Sequence, residues 1–286
     1  MKVFVRLSVV LAVATHAWPL LAQTSEPQPP PNLLVIYREE VRPGRSGAHE
    51  ASELSWAAAY RKTQAPIHWL AMTSLTGPSE AWFLSGYDSY AAFQKVDDAF
   101  TNDAALQAES QKFSAMEADI LNRTSMIIAS LRPDFGYGEP VRIPQMRYMQ
   151  VDIVQIRPGY GVQFGELLRE SRAAHEKAQM KEQWAVYAVE SGMPSGTYLF
   201  MYPRRTLAAL DEVGPMHSEA PYREAVGESG RARYGQFLRD AVVSQETLLF
   251  AFKPGMSLMP KEFMDQDAAY WTPKPPAAPR KPGEKP

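Results

Sequence analysis

The chain has 286 residues, with 30 Lys and Arg against 32 Asp and Glu and no cysteine. The missing cysteine excludes disulfides, thiolate metal centres and a lipid anchor on cysteine. The charge balance leaves no basic excess for nucleic acid or an anionic membrane surface, and the length is enough to bury a core without cross-links.

The first element in chain order is a leader. Lys2 and Arg6 supply positive charge at the start of a nearly unbroken apolar run over residues 3–14, and Leu20-Leu21-Ala22 offers a small residue before a cut. This pattern predicts a signal peptide over 1–22. The run falls short of the roughly 20 apolar residues that a membrane span needs. Removing Lys2 and Arg6 leaves 28 basic against 32 acidic residues, a net charge near −4. The expected product is a periplasmic or secreted protein with no membrane attachment after cleavage. A Pro-rich linker covers 23–31.

The next elements come twice. Arg42-Pro43-Gly44 returns as Arg157-Pro158-Gly159, a shift of 115, and the same shift carries Trp69 onto Trp184, Gly77 onto Gly192, Leu84 onto Leu199 and Tyr87 onto Tyr202. Self-similarity at a fixed spacing signals repeated units. Periodicity predicts strands over 32–41, 69–75, 81–86 and 125–131 in the first copy. It predicts helices over 48–62 and from 89, broken near Asn102 and resuming over 104–122. In the second copy it predicts strands over 148–156, 184–189, 197–201 and 247–252, with helices over 163–177 and 230–243. Near the copy ends the shift becomes 121, placing about six extra residues in the second copy, around GPMHSEAPYREA.

The order is β-α-β-β-α-β twice, the split unit of ferredoxin-like folds. The expected organisation is repeat 1 over 32–137, a linker over 138–146, repeat 2 over 147–258 and a Pro-rich disordered tail over 259–286. The expected fold class is α+β, two tandem ferredoxin-like units closing into one pseudo-dimeric α/β barrel. On this element order and hairpins such as that around Gly77-Pro78, the sequence resembles the dimeric α/β-barrel superfamily. That superfamily includes antibiotic-biosynthesis-type monooxygenases, haem-degrading enzymes, stress-responsive barrel proteins and NIPSNAP-like proteins. The resemblance spans about residues 32–258 and carries no catalytic motif. It implies a small-molecule ligand in the barrel lumen and a monomer or homodimer. The alternative that it implies is a monooxygenase-like oxidoreductase, cofactor-free or haem-dependent.

Strand alternation sorts candidate site residues. In the second copy one parity collects Met149, Val151, Ile153, Leu199 and Met201, which suit packing under helices. The other collects Tyr148, Gln150, Asp152, Tyr187, Tyr198, Phe200 and Tyr202, aromatic bodies with polar tips that suit a ligand-holding lumen. The shift of 115 adds Tyr37, His68, Met72, Phe83, Ser85 and Tyr87. The ligand-binding candidates are therefore Tyr37, Met72, Phe83, Tyr87, Tyr148, Gln150, Tyr187, Tyr198 and Tyr202, or these residues simply fill a packed barrel. His68 and Asp152 are the acid–base candidates. His175, near the end of a predicted helix, is the axial ligand that a haem-binding relative would use, or a cation at a helix C-terminus. No histidines stand at HxH or HExxH spacing, so no metal site is expected. His49 and Glu53, four apart on a predicted helix with Trp56 and Tyr60, read as a local helix contact or as a ligand pair facing a pocket. Arg42 and Arg157 read as turn residues or as a clamp for an anionic ligand, and His217 lies in the inserted segment. No nucleotide-binding loop, nucleophile elbow or RNA-binding pattern is present.

Overall fold

The computed structural model describes residues 27–62, 67–212 and 220–272. The expected signal peptide and His217 lie outside the described residues. Eight strands form the frame: β1 (Leu33–Val41), β2 (Leu70–Ser74), β3 (Glu80–Tyr87), β4 (Leu121–Leu131), β5 (Tyr148–Ile156), β6 (Ala185–Ser191), β7 (Thr197–Arg204) and β8 (Val242–Phe252). The helices are α1 (Ser46–Tyr60), α2 (Tyr90–Thr101), α3 (Ala104–Glu117), α4 (Gly161–Lys177), α5 (Ala209–Glu212), α6 (Ala220–Ala241), α7 (Lys261–Met264) and α8 (Ala268–Trp271).

The strands close into one antiparallel barrel in the order β1-β3-β2-β8-β5-β7-β6-β4. Closure depends on two seams, β2 with β8 and β4 with β6. Each seam joins the chain before residue 132 to the chain after residue 184, and together they leave the sheet without an edge. Beyond the seams, Trp69 exchanges backbone bonds with Leu258, and Trp184 does so with Tyr137. The hairpin glycines Gly77 and Gly192 both have positive φ, 75° and 89°. A Cβ on Gly192 would stand 2.0 Å from the Met126 carbonyl, so this turn requires glycine.

The break between α2 and α3 lies where Asn102 predicts it. Asp103 caps α3 by accepting from Ala105 N and Leu106 N. Two strands begin earlier than alternation predicts. β4 starts at Leu121 because Leu121, Arg123 and Thr124 pair with Val41, Glu40 and Glu39. β8 starts at Val242, paired with Ile156. After Leu121, residues 122–124 are polar and exposed, as are residues 244–246 after Val242 and Val243, so no apolar period marks these starts. Helix α6 starts at Ala220 rather than near 230 and bends where Gly227 has φ 70°.

The largest correction concerns the segment after 258. It is not a featureless tail: α7 and α8 are folded, and only residues beyond 272 lie outside the description. Trp271 is 1 % exposed within the lumen cluster, and its Nε1 donates to the Pro144 carbonyl at 2.6 Å. Phe263 and Tyr270 set their rings edge-on to it. The prolines that suggested disorder concentrate after this anchor. Trp271→Ala is expected to cost about 3–5 kcal/mol through lost burial and an orphaned carbonyl, read as a lower midpoint in urea unfolding.

Candidate functional site

The eight strands send one parity inward. Leu34, Ile36, Leu70, Met72, Trp82, Leu84, Ile127, Met149, Val151, Ile153, Leu199, Met201, Leu248 and Phe250 share a single lumen cluster. One half of the lumen is solid, with Trp82, Phe250, Ile36, Ile127, Leu199 and Leu248 fully enclosed. Arg38 stoppers that end. Its Nε donates to Glu80 Oε2 at 2.9 Å, Trp82 Nε1 donates to the same oxygen at 2.9 Å, and the guanidinium stands 5.4 Å from the centre of the Trp82 ring.

The opposite end is open. A cavity of about 340 Å³ lies between Leu34, Leu70, Leu84, Met149, Ala185, Tyr187 and Met201. Three segments outside the barrel roof it: residues 28–31, residues 137–144 with their 3-10 turn at Ile143–Gln145, and the Met259–Gln266 stretch. Tyr187 ties roof to barrel by donating its hydroxyl to the Pro31 carbonyl at 3.1 Å. Burial pushes the Tyr187 phenol up, so it remains a neutral donor. Apart from this group and rim residues such as Arg142, Gln183 and Gln266, the walls are hydrocarbon. The volume falls at the small end of ligand pockets.

Of the expected ligand-binding residues, Met72 and Tyr187 lie in the lumen, and Tyr187 alone lines the cavity. The face expected for the others is reversed. Tyr202 is buried beneath helices α4 and α6 with Trp184, Phe164, Phe200 and Phe237. Tyr198 packs 4.7 Å from Phe164, Phe83 joins Ala71, Ala81 and Met256, and Tyr87 meets Phe93 of α2. Tyr37 is 39 % exposed. Gln150 shares that outer parity and donates to Asp152 at 3.2 Å; Tyr148 has the same parity. The reason is polar satisfaction. A lumen enclosed by sheet offers few partners to hydroxyl or carboxyl groups away from its two ends, so the aliphatic set of β5 and β7 enters it. The polar set goes under the helices, where side chains and solvent at the margins can reach it.

The acid–base candidates do not meet. His68 is exposed ahead of β2, and its carbonyl accepts from Ser85 Oγ at 2.9 Å. Asp152 lies outside the barrel wall, in a 90 Å³ crevice shared with Tyr202 and Tyr234. Burial pushes its carboxyl up, against hydrogen bonds from Thr247 and Gln150 and the charge of Arg204.

His175 is 1 % exposed on α4 and donates Nδ1–H to the Ser171 carbonyl at 2.7 Å. Trp184, Tyr137 and Tyr222 enclose its ring at 4.5–5.2 Å, and Nε2 stands 3.7 Å from Glu182 Oε2. His175 lines none of the three cavities described. A porphyrin has no open face of this imidazole to approach, so the residues present do not fit haem there. Arg42 serves the turn as expected, its Nε donating to the Leu121 carbonyl at 2.9 Å.

The fold also builds the His49–Glu53 pair into a larger group, whose other members sequence spacing did not disclose. Glu39 from β1 meets His49 and Glu53 of α1, with His49 Nε2 2.6 Å from Glu39 Oε2 and 3.9 Å from Glu53 Oε1. Glu117 of α3 accepts from Ser52 at 3.1 Å and is hydrogen-bonded to Glu53. Burial, then the charge of Glu39 and contact with Glu117, pushes the Glu53 carboxyl up to about 10. The available signal was Glu39 itself, a carboxylate on the strand face that also carries Val35 and Val41.

No protein-family model matches the sequence, and no curated protein matches it. Solved structures do. A candidate monooxygenase from Fusobacterium nucleatum subsp. nucleatum ATCC 25586 is 10 % identical at a TM-score of 0.50, covering 77 % of this chain and 91 % of that one. An anthrone oxidase-like protein is 11 % identical at 0.48, covering 80 % and 94 %. A candidate monooxygenase from Lactobacillus acidophilus NCFM is 8 % identical at 0.46, covering 77 % and 93 %. At such identities the likeness is one of fold, the ferredoxin-like dimeric α/β barrel.

Asp152 yields a pH prediction. Its folded-state pKa lies above the unfolded value of about 4, so the folded protein keeps a proton that the unfolded chain has lost. Stability should fall as pH rises from about 4 until the folded-state carboxyl ionises. Asp152→Asn should flatten that fall, measured as unfolding free energy against pH.

Proposed function

We propose that this is an exported barrel protein of two tandem ferredoxin-like units that binds a small hydrophobic or aromatic molecule in the cavity at the open end of its lumen. The observation that carries the binding reading is the 340 Å³ apolar cavity, half enclosed by barrel wall and roofed by three separate segments. A packed barrel would extend the Trp82–Phe250 filling through both halves. Here the filling stops, and one buried phenol is left to orient a guest.

Matched bonds support the tandem reading. Arg42 N donates to Ile120 O, and Arg157 N to Ala241 O. Trp69 Nε1 donates to Met256 O, and Trp184 Nε1 to Phe135 O. Donors differ by 115 and acceptors by 121, the two shifts read in the sequence. Each tryptophan reaches the tail of the other unit, as subunits of a dimeric barrel would. A single chain thus completes the barrel, and a homodimer would form through outer surfaces. Export rests on the leader pattern of residues 1–22.

Oxidation of the bound molecule is the second reading, drawn from the name of the Fusobacterium protein. It ranks lower because His68 and Asp152 lie outside the cavity and His175 is enclosed. Added haemin is expected to show no Soret shift that His175→Ala removes.

The binding reading is tested with the apolar fluorophore N-phenyl-1-naphthylamine. The expected result is saturable, blue-shifted emission, weakened at least tenfold when Ala185→Phe or Leu84→Trp fills the cavity. Tyr37→Phe, on the outer surface, should leave it unchanged. Equal affinity in the filled variants would place the probe elsewhere.

A further inference from the structure

We propose that the space between β1, α1 and α3 is a binding site for a divalent first-row transition cation, with Glu39, His49 and Glu53 as ligands and Glu117 as a supporting carboxylate. The donor atoms of Glu39, His49 and Glu53 lie within 4.8 Å of one another, and all three residues are buried. Glu117, also buried, reaches them from α3. Tyr37 of β1 stands at the margin, its hydroxyl bonded to Thr124 of β4.

The first argument is charge. Three carboxylates and one imidazole share a space closed to solvent, so full ionisation leaves at least two uncompensated negative charges. Buried carboxylates are costly unless paired. His49 Nε2 lies 2.6 Å from Glu39 Oε2, and Glu53 is hydrogen-bonded to Glu117. A divalent cation among these donors would offset the negative charge they bring into the buried space.

The second argument is that the fold does not ask for charge here. The shift of 115 carries Glu39 onto Val154, His49 onto Phe164 and Glu53 onto Leu168. In the second half of the chain those three residues pack with Phe200 and Phe237 as plain hydrocarbon between sheet and helices. One architecture therefore accepts an apolar filling at this place, and in the first half carries a convergent ligand set instead.

The third argument is donor chemistry. One imidazole with carboxylates and no thiolate suits Zn²⁺, Mn²⁺ or Fe²⁺, whereas Ca²⁺ and Mg²⁺ prefer oxygen alone. The ligands come from a strand and a helix, rigid elements that hold them in place. The site lies outside the barrel wall, so it stands whether or not the lumen cavity binds a guest.

The test uses the whole purified protein, stripped with a chelator and titrated with Co²⁺ and Zn²⁺. The expected result is one equivalent of Co²⁺ giving visible d–d bands, displaced by Zn²⁺, with proton release and a raised Tm. Ca²⁺ should bind at least a hundredfold more weakly. His49→Ala and Glu53→Gln should each weaken Zn²⁺ at least tenfold, and joint replacement of His68 and His217 should not. Glu53→Gln imitates the protonated carboxyl, so it keeps the test valid if His49→Ala fails to fold. Absence of a saturable equivalent, or binding unchanged in Glu53→Gln, overturns the proposal.

Discussion

Closure of the sheet is the constraint on which the rest depends. The pairs β2–β8 and β4–β6 are the two places where early and late chain meet in the barrel. Neither half could hide its inner face alone, since the helices cover only the outside of each. Once both seams form, every strand has two neighbours and no edge is left to template a foreign strand. The tryptophans that begin the two central hairpins extend each seam, because Trp69 and Trp184 bond to chain that has just left a strand of the opposite half.

Closure also dictates chemistry by location. The lumen has sheet on all sides, so its side chains must be nearly all apolar, and the Arg38–Glu80 pair survives at one end only because each group satisfies the other beside Trp82. Beneath the helices the rule is looser. Phenols, carboxylates and imidazoles lie there with partners from helices and strands, which is where Asp152, His175 and the Glu39–His49–Glu53–Glu117 group are found. A barrel of this kind thus separates a hydrophobic chamber inside from polar chemistry outside its wall. That separation is why the acid–base residues and the cavity fail to coincide.

The open end is shaped by segments that belong to no strand. Residues 28–31, the 137–144 crossing and the chain through Trp271 converge on one mouth. Trp271 enters the lumen cluster and bonds to Pro144, so the last described segment and the crossing between halves hold each other in place. Such a roof leaves room beneath it that barrel side chains do not fill.

Much of the frame was legible in the sequence. Strand alternation, the Gly77 and Gly192 turns and the recurrence at 115 residues are local features, and local geometry enforces them: a positive φ needs glycine, and a strand shows a period of two. Exposed strand starts such as 121–124 carried no period and were missed. Which parity faces inward was not legible for β5 and β7, because both faces are buried and alternation reports a difference between faces without saying which is inside. Tyr187 faces the lumen, whereas Tyr198 and Tyr202 face the helices. The buried acidic group was out of reach for another reason. Glu39, His49, Glu53 and Glu117 are spread over 79 positions, and only the packing of α1 and α3 on β1 brings them together. The sequence by itself determined most of the elements, their order and the absence of thiol chemistry, since these depend on residue type and spacing. Tertiary structure alone decided what lies in the lumen, where the cavity opens and which charges share a buried space, because burial and proximity are properties of the closed barrel and not of any one segment.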